Sequence, residues 1–411
     1  MKILVLNSGS SSQKACLYEI GETLPAQPAD CLWQGTVEFG SESASLAVQN
    51  SKGASQKEEI QASSRADAVR RLLGTLTTGS AHTLASFSEI HAVGHRVVHG
   101  GPDFDEPVLV TPAVRKAISR AAELAPLHVR EEVEGMELVQ EMVGAVPQIA
   151  VFDTGFHRTI PPSAAVYPGP YKWFEQGIRR YGFHGINHQY CAGRAANMLD
   201  RNPASLKLVS CHLGNGCSVA AIDSGRSVDT SMGFTPLEGL MMGTRSGSVD
   251  PGILTYLMRQ KNLSGGQLDD ILNKKSGLLG ISGVSGDMRK IESEIEKGNE
   301  RARLAFDIFV HRLRSGIGSM VAVLGGIDAL IFTAGIGEHS AKVRSGACGT
   351  VEILGIQIDP EKNRRPMGDA DISHADSRVR VLVIHAQEDW AIATECWKLL
   401  RSKNATDHDM N

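Results

Sequence analysis

The chain predicts an α/β protein of two domains, and three observations carry that expectation. Short apolar runs recur along its 411 residues: KILVL (2–6), EIHAVGHRVVHG (89–100), PQIAVFDT (147–154), LKLVSCHLGNG (206–216), DALIFTAGIG (328–337) and RVRVLVIHA (378–386). Helical patterns separate these runs. One pattern, strand then Gly-rich turn then strand, occurs twice, in ILVLNSGSSSQKACLYEI and again in LVSCHLGNGCSVAAIDSG.

Each run is almost wholly apolar and ends in Gly, His, Asp or Asn, as strands buried on both faces do when functional groups sit at their carboxyl ends. AVRRLLGTL, AVRKAISRAAEL and HVREEVEGMELVQEMV carry helical spacing, and from Asn299 to Leu324 the residues Ala302, Ala305, Phe306, Phe309, Leu313, Ile317 and Val321 share one face. Strands alternating with helices give the α/β class, and the length favours two domains. The repeated hairpin suggests two copies of a similar domain. Residues 35–65, polar and Gly/Ser-rich, read as a hairpin excursion, and the last eight as a frayed end.

Composition narrows the function. Hydrophobic residues at 42% and charged residues at 21% suit a chain that buries a real core. A net charge of −4 has the wrong sign for nucleic acid as a main partner. No apolar run reaches the ~18 residues of a membrane span, and the N-terminus does not read as a signal peptide. The seven cysteines are scattered with no C-x-x-C pair, which suits a reducing cytosol better than a disulfide scaffold or a zinc site. The expectation is a soluble, cytoplasmic protein.

Glycine is in surplus, 43 residues, and it clusters. Glycine and small hydroxyl residues at a tight turn let backbone N–H groups converge into an anion cradle. NSGSSSQK (7–14) offers that chemistry with Lys14 as a positive charge, although an ordinary Ser-rich hairpin turn reads the same way. It is no Walker A loop, because G-x-x-x-x-G-K-[ST] is absent and a strand follows. HLGNG (212–216) offers the same chemistry, and FTAGIGEHS (332–340) reads as a third strand followed by a glycine-rich turn, with helix-like sequence after it. Three such segments exceed what one phosphate needs and would suit a triphosphate.

Polar residues stand around these segments in apolar surroundings: Arg96 and His99 in GHRVVHGG, His128 in APLH, Asp153 and His157 in FDTGFH, Arg179, Arg180 and His184 in RRYGFHG, Arg245 in MMGTRSGSVDP, Asp287 and Arg289 in SGVSGDMR, Glu388 in HAQED. Taken singly, His99, His128 and His157 read as structural histidines. Arg96 and Arg245 are harder to dismiss, because a guanidinium cannot be neutralised and needs an anionic partner. That partner is either a substrate or a buried carboxylate such as Asp153 or Glu238. Arg289 has the further option of pairing along its helix with Glu292 or Glu296. Arginines, an imidazole, phosphate cradles and a few carboxylates make a set suited to phosphoryl transfer, where positioning and positive charge do the catalysis. A magnesium ion would ask only for a carboxylate or amide nearby, and Asn7 and Glu388 are candidates.

NSGSSSQK, GHRVVHGG, FDTGFHRTIP, RRYGFHG, HLGNGCSVAAIDSGRSVDTSMGFTPLEGLMMGTRSG, SGVSGDMR and FTAGIGE together resemble the acetate kinases in order and spacing, across almost the whole chain. The resemblance implies two ribonuclease H-like domains of the actin, sugar kinase and chaperone-ATPase type, with an interdomain active-site cleft. It implies an N-terminal domain of residues 1–150 completed by a C-terminal helix at 387–404, a nucleotide-binding domain at 151–386, and a homodimer. The implied activity is reversible, direct in-line phosphorylation of acetate by ATP, giving acetyl phosphate and ADP beside acetyl-CoA metabolism. The cation would be Mg²⁺, with Mn²⁺ as a substitute. A propionate or other short-chain carboxylate kinase is the alternative.

Position by position, the resemblance makes Asn7 and Glu388 the metal residues and puts Lys14 in the first phosphate loop. Arg96 becomes the acetate ligand, and Val98, Leu127, Phe183 and Pro236 its methyl pocket. Asp153 is the catalytic aspartate, and His184 and Arg245, with Asn215 beside them, stabilise the transferring phosphoryl group. The nucleotide segments are His212, Leu213, Gly214, Asn215 and Gly216, then Asp287, Met288 and Arg289, then Gly335, Ile336, Gly337, Glu338 and His339. The chain departs from the family pattern at Val129-Arg130, Ile186-Asn187, Ser248, Gln387 and His339; none is a catalytic or metal residue, and His339 bears on the nucleotide preference. A nucleotide-driven protein of the actin or chaperone kind would need an appended partner-binding region, which the sequence does not suggest.

Overall fold

Ile3, Leu4, Val5 and Leu6 are 0–2% exposed, so the strand that holds them is central to its sheet. The structure, a computed structural model, describes residues 1–409 apart from 10–11, 41–42, 62–63 and 121–125; the side chains of 126–129, 352 and 403–409 also fall outside the described set. The chain forms two units, Met1–Gly155 with Gln387–Asn411, and Phe156–Ala386. Among the described residues, no helix is long and apolar enough to cross a membrane.

In the first unit, β1 (Lys2–Ser8), β2 (Ser12–Glu19), β3 (Trp33–Phe39), β4 (Ala44–Asn50), β5 (Ser55–Ile60), β6 (Ala92–Val97), β7 (Val108–Leu109) and β8 (Gln148–Phe152) form one sheet in the order β5-β4-β3-β2-β1-β6-β8-β7. β1 runs antiparallel to β2 and parallel to β6. The polar stretch expected as an excursion extends the sheet by a meander instead, with Val37, Leu46 and Val48 turned into the core. The boundary expected at residue 150 falls inside β8, which pairs with β6 and so keeps residues to 155 in this unit.

The second unit holds β9 (Lys207–Leu213), β10 (Cys217–Asp223), β11 (Arg226–Thr230), β12 (Ala329–Thr333), β13 (Ala370–Asp371) and β14 (Arg380–Val383), in the order β11-β10-β9-β12-β14-β13. The two sheets share one plan. Three antiparallel strands run inward (β3-β2-β1, β11-β10-β9), two parallel strands follow (β6-β8, β12-β14), and a two-residue antiparallel strand closes the edge. The doubled hairpin foreshadows this repeated α/β plan, and its ribonuclease H-like form is the one that the family resemblance implies.

Helices cover the sheets where the apolar pattern requires it. Helix Glu300–Leu324 starts at Asn299, whose side chain accepts from Ala302 N, and stops at Gly325 with φ of 67°. All seven residues expected on its apolar face are buried. Helix Glu388–Asp409 returns the chain to the first unit and continues through most of the expected frayed end. It lies so close to β6 that a Cβ on Gly94 would sit 2.7 Å from Cys396 Sγ and Ile392 Cγ2. Only glycine fits there.

Candidate active site

In the first unit, strand ends gather charge. Arg96, on β6, donates through Nη2 to Asp153 Oδ2 at 2.7 Å and through Nη1 to Ser8 O at 3.2 Å. Asp153 follows β8 directly and is fixed by its own N–H to Val97 O at 2.8 Å. Burial works against the Arg96 charge, but Asp153, Glu388 and Glu132 together hold its pKa above the ordinary value. The carboxylate alternative for Arg96 is therefore met by Asp153, while Glu238 pairs with Arg180 at 2.9 Å.

Asn7, at the end of β1, donates its amide to Glu388 Oε2 at 3.3 Å and to Asp389 Oδ1 at 2.8 Å. Burial pushes the Asp389 carboxyl up, and Asn7 and Lys14 oppose that. The Asn7 amide oxygen and the Glu388 carboxylate are the hard donors that a divalent cation takes. Among the described residues no group of three or more His, Cys, Asp and Glu could hold a metal. Mg²⁺ fits such a sparse set, because it keeps several of its waters. Lys14 lies within β2 opposite Asn7, not in the turn itself, and is exposed. The hairpin tip includes residues 10–11, which lie outside the described residues.

Two carboxyls here escaped sequence reasoning, the half-buried Asp389 and the buried Glu132. Glu132 Oε1 accepts from Val98 N at 3.0 Å, and burial pushes its pKa up to about 8. It thereby holds the backbone of Val98, the expected pocket residue of this unit whose side chain is described. Leu127, the other, has its side chain outside the described set.

In the second unit the expected residues converge on glycines. β9 turns into β10 at residues 214–216, closed by Gly214 N to Gly216 O at 2.9 Å. A Cβ on Gly216 would lie 3.2 Å from His184 Nε2 and 3.5 Å from Arg245 Nη1, so imidazole and guanidinium meet over this turn. Arg245 Nη1 also donates to Pro236 O at 2.9 Å, and Asn215 O accepts from Gly243 N at 3.1 Å. Gly243 and Gly286 pack backbone to backbone, and Ala334 Cβ approaches Gly214. Segments 212–216, 286–289 and 334–339 thus lie side by side.

His184 takes φ of 59° just before helix Gly185–Met198, a left-handed conformation that costs a non-glycine residue about 1 kcal/mol or more. Its ring stacks on His212 with centroids 3.9 Å apart. Asn187, one of the departures from the family pattern, donates to His212 Nδ1 at 2.8 Å and so orients that ring. His157 sits beneath, accepting from Ser227 Oγ (2.7 Å) and donating Nε2–H to Phe183 O (3.1 Å); burial pushes its pKa down to about 4.

Two expectations change. FTAGIGEHS does not form an open glycine turn: helix Ala334–His339 begins at once after β12, with Ala334 at φ of 64°. Glu338 is buried, bonded to His385 Nδ1 and to Ala386 N, whereas Gly335 and His339 are exposed. Arg289 pairs with Asp287 at 2.7 Å, its helix N-cap, rather than with Glu292 or Glu296, which engage Ser340 and Lys342. Arg344, fully buried and missed by sequence reasoning, ties this region together through Gly337 O, Glu338 O and Asn363 O and Oδ1, all at 2.7 Å. Burial pushes its pKa down to about 10.

Known proteins resemble this chain along nearly its whole length. A profile described as the acetokinase family matches residues 2–394. An acetate kinase of Nostoc sp. is 55% identical over 404 residues, 98% of this chain and all of that relative. Among solved structures, Porphyromonas gingivalis acetate kinase superposes with a TM-score of 0.88 at 39% identity, covering 97% of this chain and 99% of that one. A propionate kinase from Francisella tularensis gives 0.87 at 37% identity, with 96% and 98% covered.

Proposed function

This chain belongs to the acetokinase family, and from that premise we infer that it transfers the γ-phosphoryl group of ATP to acetate, giving acetyl phosphate and ADP. Acetate, like Asp or Glu side chains, ionises near pH 4, so at pH 7 the nucleophile needs no general base. An acetate oxygen bonds to phosphorus as the bond to the ADP oxygen breaks and its electron pair leaves with ADP. The obstacle is the approach of one anion to another.

Each set of residues meets part of that obstacle. Arg96, aimed by Asp153 and Ser8 O, neutralises and orients the carboxylate, and Val98, Leu127, Phe183 and Pro236 accommodate its methyl group. Arg245 and His184, which meet over Gly216, stabilise charge on the moving phosphoryl group, with Asn215 beside them. Segments 212–216, 287–289 and 335–339 and Lys14 hold the nucleotide. Asn7 and Glu388 would hold Mg²⁺ or Mn²⁺, which when bound neutralises phosphate oxygens. Asp153, committed to Arg96, orients and does not take a proton. The approach of His184 Nε2 and Arg245 Nη1 to one turn is the observation that carries this reading.

Hydroxamate trapping with ATP, Mg²⁺ and acetate tests it. Acetate-dependent acyl phosphate is expected; ATP hydrolysis indifferent to acetate would overturn it. One methylene more or less in the acyl chain is worth only ~1–3 kcal/mol, so kcat/KM for acetate, propionate and butyrate decides the preferred acid. The requirement for ATP suits a cytoplasmic setting. A homodimer is supported by helix Pro251–Lys261, which has no buried residue and exposes Ile253, Tyr256 and Met258. Light scattering should give twice the chain mass, and charged substitutions at Tyr256 and Met258 should halve it.

A further inference from the structure

Behind His184 lies a line of buried hydrogen bonds that the transfer reaction does not itself require. His184 Nδ1 is 2.9 Å from Ser218 Oγ, Ser218 Oγ is 2.8 Å from His188 Nε2, and His188 Nδ1 is 2.9 Å from Ser210 Oγ. Ser210, Ser218 and His188 are fully buried. We propose that Ser210, Ser218 and His188 act as a directional relay that fixes His184 as a neutral imidazole with its proton on Nε2. It then serves the phosphoryl group as a hydrogen-bond donor and leaves the positive charge to Arg245.

The direction follows from counting hydrogens. Among the described residues, Ser210 Oγ makes one hydrogen bond, to His188 Nδ1. If His188 carried its proton on Nδ1, the Ser210 hydroxyl would accept, and its own hydrogen would be stranded in the interior at a cost of about 1–3 kcal/mol. With Ser210 donating, every hydrogen is used. Ser210 O–H goes to His188 Nδ1, His188 Nε2–H to Ser218 Oγ, and Ser218 O–H to His184 Nδ1. The only ring nitrogen of His184 left to carry a hydrogen is Nε2, the atom beside Gly216 and Arg245.

A doubly protonated His188 would break the relay, and its surroundings disfavour that form. Burial first, then His157 and His212, push its pKa well down. Among the described residues of this unit, the titratable groups facing His184 include His212 stacked on its ring, His188 through Ser218, and Arg245. Protonating His184 on Nδ1 as well would force Ser218 to accept from both histidines or reverse the whole line.

The catalytic consequence rests on the assignment of His184 to the phosphoryl group, but the tautomer does not. Long-range ¹H–¹⁵N spectra of the full-length protein, with His184 resonances assigned by their loss in His184→Gln, measure the tautomer without any relay variant. A single Nε2–H form, with no titration between pH 6 and 8, is expected. An Nδ1–H form, or protonation within that range, would overturn the proposal. Ser210→Ala removes the hydrogen that sets the direction. His184 should then show mixed tautomers and a new titration, and kcat should fall about tenfold with a pH dependence that the parent lacks; that factor corresponds to ~1.4 kcal/mol. Unchanged tautomer and pH profile in Ser210→Ala would also overturn it. If instead His184→Ala kept full kcat, the role of His184 in transfer would fail while the tautomer result stood.

Discussion

The two units are built on one sheet plan yet gather opposite chemistry at the ends of their strands. The first places Asp153, Glu388 and Glu132 around the guanidinium of Arg96, with Asp389 beside Glu388 and Asn7. The second places His184, His212 and Arg245 around glycines, with neutral histidines behind. The difference teaches that a shared backbone fixes where functional groups can stand, not which ones do. A carboxylate-rich end suits a divalent cation and one well-aimed arginine for an anionic acceptor. A glycine-rich end with a permanent charge suits a phosphoryl group whose charge spreads over several oxygens.

The largest expected effect falls on the second unit. Arg245→Ala should lower kcat by roughly 10³-fold or more, as loss of a charge-stabilising arginine does in phosphoryl transfer. Near-normal turnover in folded variant would remove the contrast between the units. Next comes the buried pair of the first unit. Asp153→Ala leaves the Arg96 charge without its 2.7 Å partner, and unfolding titrations should record a loss of about 3–5 kcal/mol; a loss under 1 kcal/mol would mean that Arg96 is otherwise held.

Arg344→Met tests the architecture rather than the charge. It deprives Gly337 O, Glu338 O and Asn363 O of their buried donor, so stability should fall by about 2–3 kcal/mol and KM for ATP should rise more than KM for acetate. The smallest effect concerns Glu132. Its folded pKa of about 8 exceeds the reference 4.5, so the folded state holds the proton more tightly. The resulting stabilisation is complete below pH 4.5 and is lost as pH rises through 8. Glu132→Gln keeps a neutral acceptor for Val98 N without that slope. The difference in Tm, variant minus parent, should therefore grow from pH 5 to 8 and level off above 9. A pH-independent difference would contradict the buried neutral acid.

Much of this was legible in the sequence where a single element carries its own signal. The doubled hairpin needs only two apolar runs and a small-residue turn, and helix Glu300–Leu324 announces itself by spacing and by its Asn and Gly caps. Arg96 and Arg245 stood out because a guanidinium in an apolar strand end demands a reason. What failed depended on neighbours far along the chain. Glu132 lies in a run of acidic residues that reads as a solvated helix face, and only the fold turns it against Val98. Ser210 and Ser218 are single hydroxyls in apolar strands, meaningful only once His188 is set between them. FTAGIGEHS reads as a turn because glycine weakens helices, yet the buried Arg344 ties down its last carbonyls and the segment stays helical.

The division of labour between the units is tested most directly by acetate saturation curves of Arg96→Ala, followed by hydroxamate formation at fixed ATP and Mg²⁺. The account predicts a raised KM for acetate, a reduced kcat or both, with KM for ATP close to that of the parent. An acetate curve that superposes on the parent's would show that the acceptor is not held by Arg96, and the contrast drawn here between the two units would have no basis.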